Sequence, residues 1–378
     1  MKPLKHQEKF VKGYDGTNLL VHEGGTGKTI CACLWLKDGR DRDALVVCPK
    51  RVVKKWRIEL TKWGAMATVL SKEQFKKTLY KKWSAVVIDE ADEFCSPLFT
   101  KQRSQLTERM YNLFKVYPTI PRLLLSATII RSSPWNLHTA LTLKGHYIDF
   151  TKWRDVFFSL EKRPYMARPG YLPVKDWREK IRKVLEKHAD IVLLSDCVDE
   201  LPPVTEEIVE IKNPKFVNTE WEGVKAFFEE HRHEQRLKTK EIINIGKEFR
   251  KIAVVANYRE QCEELYKELS KDRETFMIMG GIKDQEEIIK KAQDSDECYF
   301  IIQASLGAGF DLNTFSCMIF ASMSYSVRDW VQMKYRMRRI HDLHPVKHYY
   351  LLGGRCDRAV REKILLGKEF TPSEWCNK

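Results

Sequence analysis

Short apolar runs alternate with helical patterns along most of this chain, and few folds are compatible with that alternation. In the first half the runs are continuous rather than alternating, as in strands buried on both faces of a parallel sheet, and they occupy residues 18–21, 44–48, 85–88 and 122–125. The rhythm resumes at residues 252–256, 276–279, 299–302, 318–320 and 348–352. The sequence therefore predicts an α/β fold with two mainly parallel sheets, each covered by helices.

The length of the chain favours two domains. Its 378 residues exceed the roughly 250 to 300 at which a single core stops growing. The motif LPPV at residues 201–204 interrupts the helical pattern, and a Trp- and charge-rich stretch precedes it. We expect one domain over residues 1–200, with a short helical extension at about 145–200, and a second over residues 201–378.

Basic residues outnumber acidic ones, which favours a polyanion as partner. Lys and Arg total 66 against 52 Asp and Glu, a formal net charge of +14. Between residues 50 and 82 the chain carries 11 basic residues and only two acidic ones. A solvated helix face would have a similar composition, so a nucleic-acid partner is inferred only together with the motifs below.

The N-terminus, the lack of a long apolar window and the cysteines predict a soluble protein of the cytoplasm. The N-terminus lacks the apolar segment of a signal peptide, and no window approaches the roughly 18 apolar residues of a membrane span. Cys31 and Cys33 are the only close pair among ten cysteines, and no second pair at zinc spacing lies nearby. They are interpreted as core residues of a helix.

The stretch HEGGTGKT follows an apolar run and precedes a helical pattern, which is the context in which a glycine-rich loop binds phosphate groups. Backbone N–H groups would hold phosphates, the Lys28 ammonium would neutralise β and γ oxygens, and the Thr29 hydroxyl would reach Mg²⁺. The strict pattern has glycine where this chain has His22. The predicted nucleotide-binding loop consists of Gly24, Gly25, Thr26, Gly27, Lys28 and Thr29.

The stretch AVVIDEADEF supplies carboxylates at the end of a second buried run. Asp89 is predicted to bind Mg²⁺ and Glu90 to activate the attacking water, the two tasks that hydrolysis of a γ-phosphate requires. An acidic helix cap after a core strand is the alternative for these two residues taken alone. Their pairing with Lys28 favours ATP and Mg²⁺ as substrate and cofactor.

These motifs, in this order, resemble superfamily 2 helicases and translocases over nearly the whole chain. The resemblance implies two tandem RecA-like domains with the ATP site in the cleft between them. It gives Gln7, in LKHQ, the task of reading adenine. It implies nucleic-acid contacts from VVCPKRVVKKW and LLSAT, with Pro49, Lys50, Trp56, Ser126 and Thr128 as the residues concerned, and hydrogen bonds from Ser126 and Thr128 back to the Asp89 segment.

Two further motifs in the second half fit the same resemblance. QASLGAGFDL is similar to the motif that touches both nucleotide and strand, which implies Ser305 on nucleic acid and Gly309 and Asp311 on the nucleotide. In DWVQMKYRMRRI, helical spacing would place Gln332, Arg336 and Arg339 on one face, because positions i, i+4 and i+7 stack. These arginines would stabilise charge on the γ-phosphate, and the three residues complete the predicted catalytic set.

The residues within the motifs are used to infer whether the partner is DNA or RNA. DEAD and SAT occur literally and favour a DEAD-box-like RNA helicase. The turn CPKRVVKKW, the segments LSDCVDELPPV and SYSVRDWVQ, and the order Q-x-x-x-R-x-x-R resemble Snf-type DNA-dependent ATPases. We expect a compact, monomeric, Snf-like translocase of a bacterial cell or a virus-infected host cell, which couples ATP hydrolysis to movement on DNA, with forks and branched DNA as candidate substrates. An RNA helicase and an ATP-gated nucleic-acid clamp remain as alternatives.

Overall fold

The structure is a computed structural model that describes most of the chain. The described residues are 2–13, 18–40, 42–98, 103–130, 133–161, 170–198, 202–212, 223–306, 310–322, 327–338, 344–353, 357–358 and 361, with side chains omitted at 223–233 and 327–328. The chain divides into two compact units, the first running to Asp199 and the second beginning at Glu200. Among the described residues no helix is both long and apolar enough to span a membrane.

The first unit is built on a six-stranded parallel sheet in the order β3-β2-β4-β5-β1-β8. Its strands are β1 Asn18–His22, β2 Leu45–Cys48, β3 Thr68–Ser71, β4 Val86–Asp89, β5 Arg122–Ser126 and β8 Asp190–Val192. The central strands are buried along their length because helices cover both faces, which explains their continuous apolar runs.

The described part of the first unit contains eight α-helices: α1 Lys5–Gly13, α2 Lys28–Lys37, α3 Val53–Trp63, α4 Lys72–Lys77, α5 Gln105–Val116, α6 Pro134–Lys144, α7 Phe150–Phe157 and α8 Trp177–His188. One core joins α1, α2 and α3 to one face of the sheet, and a second core joins α5, α6, α7 and α8 to the other. This layering places the turns that follow the strands at one exposed edge of the sheet.

The predicted helical extension is only partly helical. Between α7 and α8 the chain forms an antiparallel pair of strands, β6 Phe158–Glu161 and β7 Gly170–Pro173, apart from the large sheets. Leu160 and Tyr171 oppose each other in this pair and are exposed. The helical expectation was wrong here because aromatic and Leu residues suit a half-exposed strand pair as well as a helix.

The second unit has its own six-stranded parallel sheet, in the order β11-β12-β10-β13-β14-β9. Its strands are β9 Val204–Glu210, β10 Lys251–Ala256, β11 Thr275–Ile278, β12 Cys298–Gln303, β13 Cys317–Phe320 and β14 Val346–Leu352. Its helices are α9 Gly223–Gly246, α10 Arg259–Leu269, α11 Gln285–Asp294 and α12 Val327–Lys334. The helices α9 and α10 pack on one face of this sheet, and α11 and α12 pack on the other.

Candidate functional site

The predicted site residues of the first unit follow strands that end at the same edge. β1 leads into the phosphate-binding loop, β4 ends at Asp89, β2 leads to Pro49 and β5 ends at Ser126. Because all these strands are parallel, their carboxyl ends meet at one edge of the sheet. The sequence motifs are thereby brought together although up to about 100 residues separate them.

The loop between β1 and α2 has the geometry of a phosphate cradle. Gly25 and Gly27 adopt φ values of 91° and 87°, a region that favours glycine, and α2 begins immediately afterwards at Lys28. The Lys28 Nζ donates to the carbonyl oxygens of His22 at 2.8 Å and Glu23 at 3.2 Å. The ammonium is therefore held over the loop at the N-terminus of a helix, where phosphate groups bind favourably.

Gln7 contacts this loop from α1. Its side chain is only 1% exposed, and its Nε2 donates to the Thr26 carbonyl oxygen at 3.4 Å while its Oε1 accepts from the backbone N–H of Leu4. A Cβ at Gly27 would approach the same Nε2 to 2.5 Å, so the loop and Gln7 depend on a glycine there. In this structure the amide contacts the loop, and its role in reading adenine stays a prediction.

Asp89 receives a hydrogen bond from an unexpected residue. The indole Nε1 of Trp56, on α3, donates to Asp89 Oδ2 at 2.8 Å, and Trp56 is 1% exposed. A buried indole cannot stack on a nucleic acid, so the predicted contact of Trp56 with the polymer is corrected to a contact with the carboxylate. No spacing rule reveals this pair, since 33 positions separate the two residues.

Neighbouring groups shift the pKa of Asp89 in opposite directions. Burial raises the pKa of Asp89 to about 6 and the adjacent Glu90 carboxylate raises it too, whereas the Trp56 hydrogen bond and the Lys28 and Lys72 ammonium groups act to lower it. The interaction with Lys28 also shows that the phosphate-binding lysine and this carboxylate lie close enough to feel each other's charge.

Glu90 lies in a strained conformation. Its φ of 52° and ψ of 56° fall in the left-handed region that non-glycine residues rarely adopt, and its backbone N–H donates to Asp89 Oδ1 at 3.1 Å. Strain of this kind costs on the order of 1 to 3 kcal/mol and clusters at functional sites. This strain supports a functional role for the position directly after Asp89.

The donor set around Asp89 fits a magnesium ion. Mg²⁺ prefers oxygen ligands, usually one or two from the protein with the rest from substrate phosphates and water. A carboxylate at Asp89 and a hydroxyl at Thr29 match that preference, and Lys28 places the phosphates of a nucleotide in the same region. These residues would hold the ion that the sequence motifs imply.

Ser126 and Thr128 are buried behind the site. Ser126 Oγ donates to Asp92 Oδ1 at 3.3 Å, and the Thr128 backbone N–H donates to Ser126 Oγ at 3.0 Å. The predicted bond from Ser126 to the acidic segment is therefore present, with Asp92 as the acceptor. Both side chains are at most 4% exposed, so the predicted direct contact with nucleic acid is corrected to a role in linking the two strand ends.

An exposed basic surface begins where β2 ends. Pro49 is buried, but Lys50 and Arg51 are exposed in the short turn before α3, as are Lys54, Lys55 and Arg57 on the helix itself. Trp56 anchors the opposite side of α3 in the core. The helix thus carries a positively charged outer face beside the carboxyl edge of the sheet.

The carboxyl ends of the strands in the second unit carry a buried polar network. Ser322 Oγ donates to Gln261 Oε1 at 2.6 Å, and the backbone N–H of Asn257 donates to Ser322 Oγ at 3.0 Å. Gln303 joins in, because its Nε2 donates to the Asn257 carbonyl oxygen and its Oε1 accepts from the Gly280 N–H. Sequence reasoning missed this network, which joins groups at the ends of four strands, β10, β11, β12 and β13, to Gln261 on α10.

The helix that carries Gln332 is shorter than predicted. α12 ends at Lys334, and Arg336 lies in the turn that follows it. Past the end of the helix the Arg336 N–H donates to the Met333 carbonyl oxygen at 3.0 Å, the Arg336 carbonyl oxygen accepts from the Leu312 N–H at 2.8 Å, and Arg336 Nη1 donates to the Phe310 carbonyl oxygen at 3.1 Å. Gln332 and Arg336 therefore do not share a helix face as predicted, and Arg336 is instead fixed against the segment that contains Asp311.

The remaining predicted residues of the second unit divide into two groups. Ser305 lies in the short turn after β12, and Asp311 accepts a hydrogen bond from Gln293 at its backbone carbonyl oxygen. Gly309 and Arg339 lie outside the described residues.

Comparisons with known proteins add a family and a fold. Residues 236–341 match the family described as the helicase conserved C-terminal domain. The second unit is similar to a helicase domain. No curated protein matches the chain.

A structural match to a solved helicase covers nearly the whole chain. The solved structure of the Mycobacterium smegmatis helicase Lhr, bound to ssDNA and AMP-PNP, has a TM-score of 0.58 and 15% sequence identity, and the match covers 97% of this chain. The chain spans 48% of the length of that protein. At this identity the likeness shows the fold, which confirms the predicted α/β architecture of two tandem RecA-like domains. The family match covers residues 236–341 and the structural match shows the fold, so the assignments to superfamily 2 and to the Snf type stay predictions.

Proposed function

We propose that this chain is an ATP-dependent motor on nucleic acid, a Snf-like helicase or translocase that prefers DNA and acts as a cytoplasmic monomer. The observation that carries the proposal is the meeting of Lys28, Asp89 and Glu90 at one edge of a parallel sheet, with the Lys28 ammonium acting on the Asp89 carboxylate. A phosphate-binding lysine beside two carboxylates is the combination that γ-phosphate hydrolysis needs.

The chemistry follows from the individual side chains. Lys28 and the backbone N–H groups at the start of α2 bind the β- and γ-phosphates. Thr29 and Asp89 would hold Mg²⁺, which supplies charge stabilisation for the phosphate oxygens when bound. Glu90 accepts a proton from the attacking water. The family resemblance gives Arg336 and Arg339 the task of stabilising the transition-state charge, an effect worth about 10³ to 10⁵ in rate for the arginine fingers of GTPases.

The basic face of α3 supports a nucleic-acid partner. Lys50 and Arg51 stand exposed at the carboxyl edge that also carries the nucleotide site, and Lys54 continues this charge along the helix. Phosphate contacts of this kind bind without reading sequence. The bond between Ser126 and Asp92 connects the acidic segment to the end of β5, which suits a protein that converts hydrolysis into changes elsewhere.

The preference for DNA comes from the resemblance of CPKRVVKKW and of the Gln332 segment to Snf-type motors. It can be tested by measuring ATP turnover of the full chain with single-stranded, duplex, forked and four-way DNA and with RNA of matched length. We expect the DNA substrates to stimulate turnover most. Greater stimulation by RNA would replace the proposal with the RNA helicase.

A further inference from the structure

Residues 190–197, here called the exit segment, form the last described part of the first unit before the chain passes to the second unit. The segment starts with β8, which pairs in parallel with β1 so that His22 is aligned with Val192. β1 is the strand that leads into the phosphate-binding loop. The exit segment therefore runs beside the loop as it leaves the unit.

Direct hydrogen bonds join the exit segment to the start of the loop. His22 Nε2 donates to Asp190 Oδ2 at 2.7 Å. The Glu23 backbone N–H donates to the Val192 carbonyl oxygen at 2.9 Å, and Glu23 Oε2 accepts from the Leu194 N–H at 2.7 Å. His22 and Glu23 are both buried, so these bonds are shielded from water and costly to break.

The same two residues hold the catalytic lysine from their other side. The carbonyl oxygens of His22 and Glu23 accept from Lys28 Nζ, and the Glu23 carbonyl also accepts from Thr26 Oγ1 at 2.9 Å. A shift of Lys28 towards bound phosphates would release these carbonyl oxygens. The backbone at His22 and Glu23 is thus shared between Lys28 and the exit segment.

A side chain at position 22 makes this arrangement possible. The strict phosphate-loop pattern has glycine there, which cannot reach a neighbouring strand. Here the imidazole is fully buried and bonded to Asp190. Asp190 is partly exposed and lies at the sheet edge, so its carboxylate can be changed with little disturbance of the core.

We propose that His22 and Glu23 are positioning residues that couple the phosphate-binding loop to the exit segment, so that a nucleotide on the loop stabilises the exit segment and the exit segment in turn raises nucleotide affinity. The proposal rests on the proposed nucleotide site. Reciprocity follows from thermodynamic linkage, and couplings of this type commonly change affinity by about 5-fold or more.

The wild-type chain provides the first test, by hydrogen exchange with and without AMP-PNP and Mg²⁺. We expect the ligand to slow exchange in the loop, residues 22–29, and also at residues 190–197, where the Leu194 N–H is bonded to Glu23. Slowing in the loop alone would overturn the coupling while leaving the nucleotide site intact. An absence of slowing in both regions would instead overturn the nucleotide site.

Two variants test the hydrogen bond between His22 and Asp190, and a third variant is their control. Asp190→Ala removes the acceptor for His22 and should weaken AMP-PNP binding about 5-fold and abolish ligand-dependent slowing at residues 190–197. Asp190→Asn keeps an acceptor oxygen and should restore both. Asp43→Ala is the matched control, because Asp43 also accepts from a cation, Lys81 at 2.9 Å, but precedes β2, which the strands β4, β5 and β1 separate from β8.

The control should bind AMP-PNP as the wild type does and keep the slowing at residues 190–197. Equal weakening in Asp190→Ala and Asp43→Ala, or wild-type binding and slowing in Asp190→Ala, would overturn the proposal. If Asp190→Ala does not fold, Glu23→Ala and Glu23→Gln make the same comparison at the bond between Glu23 and the Leu194 N–H. The Gln variant keeps an acceptor oxygen and should retain the ligand-dependent slowing at residues 190–197. Loss of that slowing in Glu23→Gln would count against the coupling.

Discussion

The indole N–H of Trp56 donates to the carboxylate of Asp89 at 2.8 Å, which joins α3 to the acid proposed to bind magnesium. The bond turns a residue of the basic helix into a support for the nucleotide site. Because the short turn that carries Lys50 and Arg51 leads directly into α3, the helix and the turn before it contribute to both halves of the proposed activity.

Replacing Trp56 with Phe tests this support. The change keeps an aromatic ring in the core but removes the donor, and hydrogen bonds to charged groups contribute about 1.5 to 3 kcal/mol. We expect the Mg²⁺ concentration that gives half-maximal ATP turnover to rise by about 10-fold or more. The measurement is steady-state turnover against Mg²⁺ concentration, with the melting temperature recorded for each variant.

Trp35→Phe is the control for that experiment. Trp35 is buried in the same core, and its Nε1 has no hydrogen-bond partner among the described residues. The control should lose stability to a similar extent and leave the Mg²⁺ dependence unchanged. An equal rise in both variants would mean that packing, and not the bond to Asp89, controls the site.

Glu90→Gln separates binding from chemistry. Glutamine has nearly the same size but cannot accept the proton of the attacking water, so turnover should fall by at least about 100-fold while ATP binding is retained. Binding of a fluorescent ATP analogue and phosphate release would be measured on the same sample. Lys28→Ala should lose both properties, and turnover near the wild-type rate in Glu90→Gln would remove the role assigned to Glu90.

His348 makes the second unit sensitive to acid. Burial lowers the pKa of His348 to about 3, well below the value of about 6.5 expected in the unfolded chain. Below pH 6.5 the unfolded state binds the proton more readily, so stability present above that pH is lost as the pH falls towards 3. At pH 5 the loss should be about 2 kcal/mol.

Hydrogen exchange in β14, corrected for the intrinsic rate, measures this loss locally. His348→Leu removes the titrating group, so the difference in opening free energy between pH 7.5 and pH 5 should be about 2 kcal/mol smaller in the variant. Identical differences in the two proteins would show that His348 does not cause the sensitivity.

The sequence predicted the central strands well, because residues such as those of β1, β2 and β12 form unbroken apolar runs. The edge strands β3, β8 and β9 were missed. β9 reads VTEEIVE and is largely exposed, β3 reads TVLS and begins and ends on a polar residue, and β8 has only three residues, so none of them carries the continuous run that marks a buried strand. Such strands are specified by their neighbours rather than by their own composition.

In the candidate site, too, some features could be predicted from the sequence and others could not. The phosphate loop and the pair Asp89 and Glu90 were predictable, since each motif is contiguous and its chemistry depends on local spacing. The bond from Trp56 to Asp89 and the end of α12 before Arg336 depend on contacts between distant segments, which a single sequence does not encode in any spacing.

If hydrolysis drives movement of the protein along DNA, as the proposed function states, the protein will displace the third strand of a DNA triplex. The protein would load on a duplex flank, and release of the third strand would be followed with ATP, with AMP-PNP and with Glu90→Gln. We predict release with the wild-type chain and ATP, and none in the other two conditions. ATP turnover stimulated by DNA without release of the third strand would contradict the claim and favour a nucleic-acid clamp.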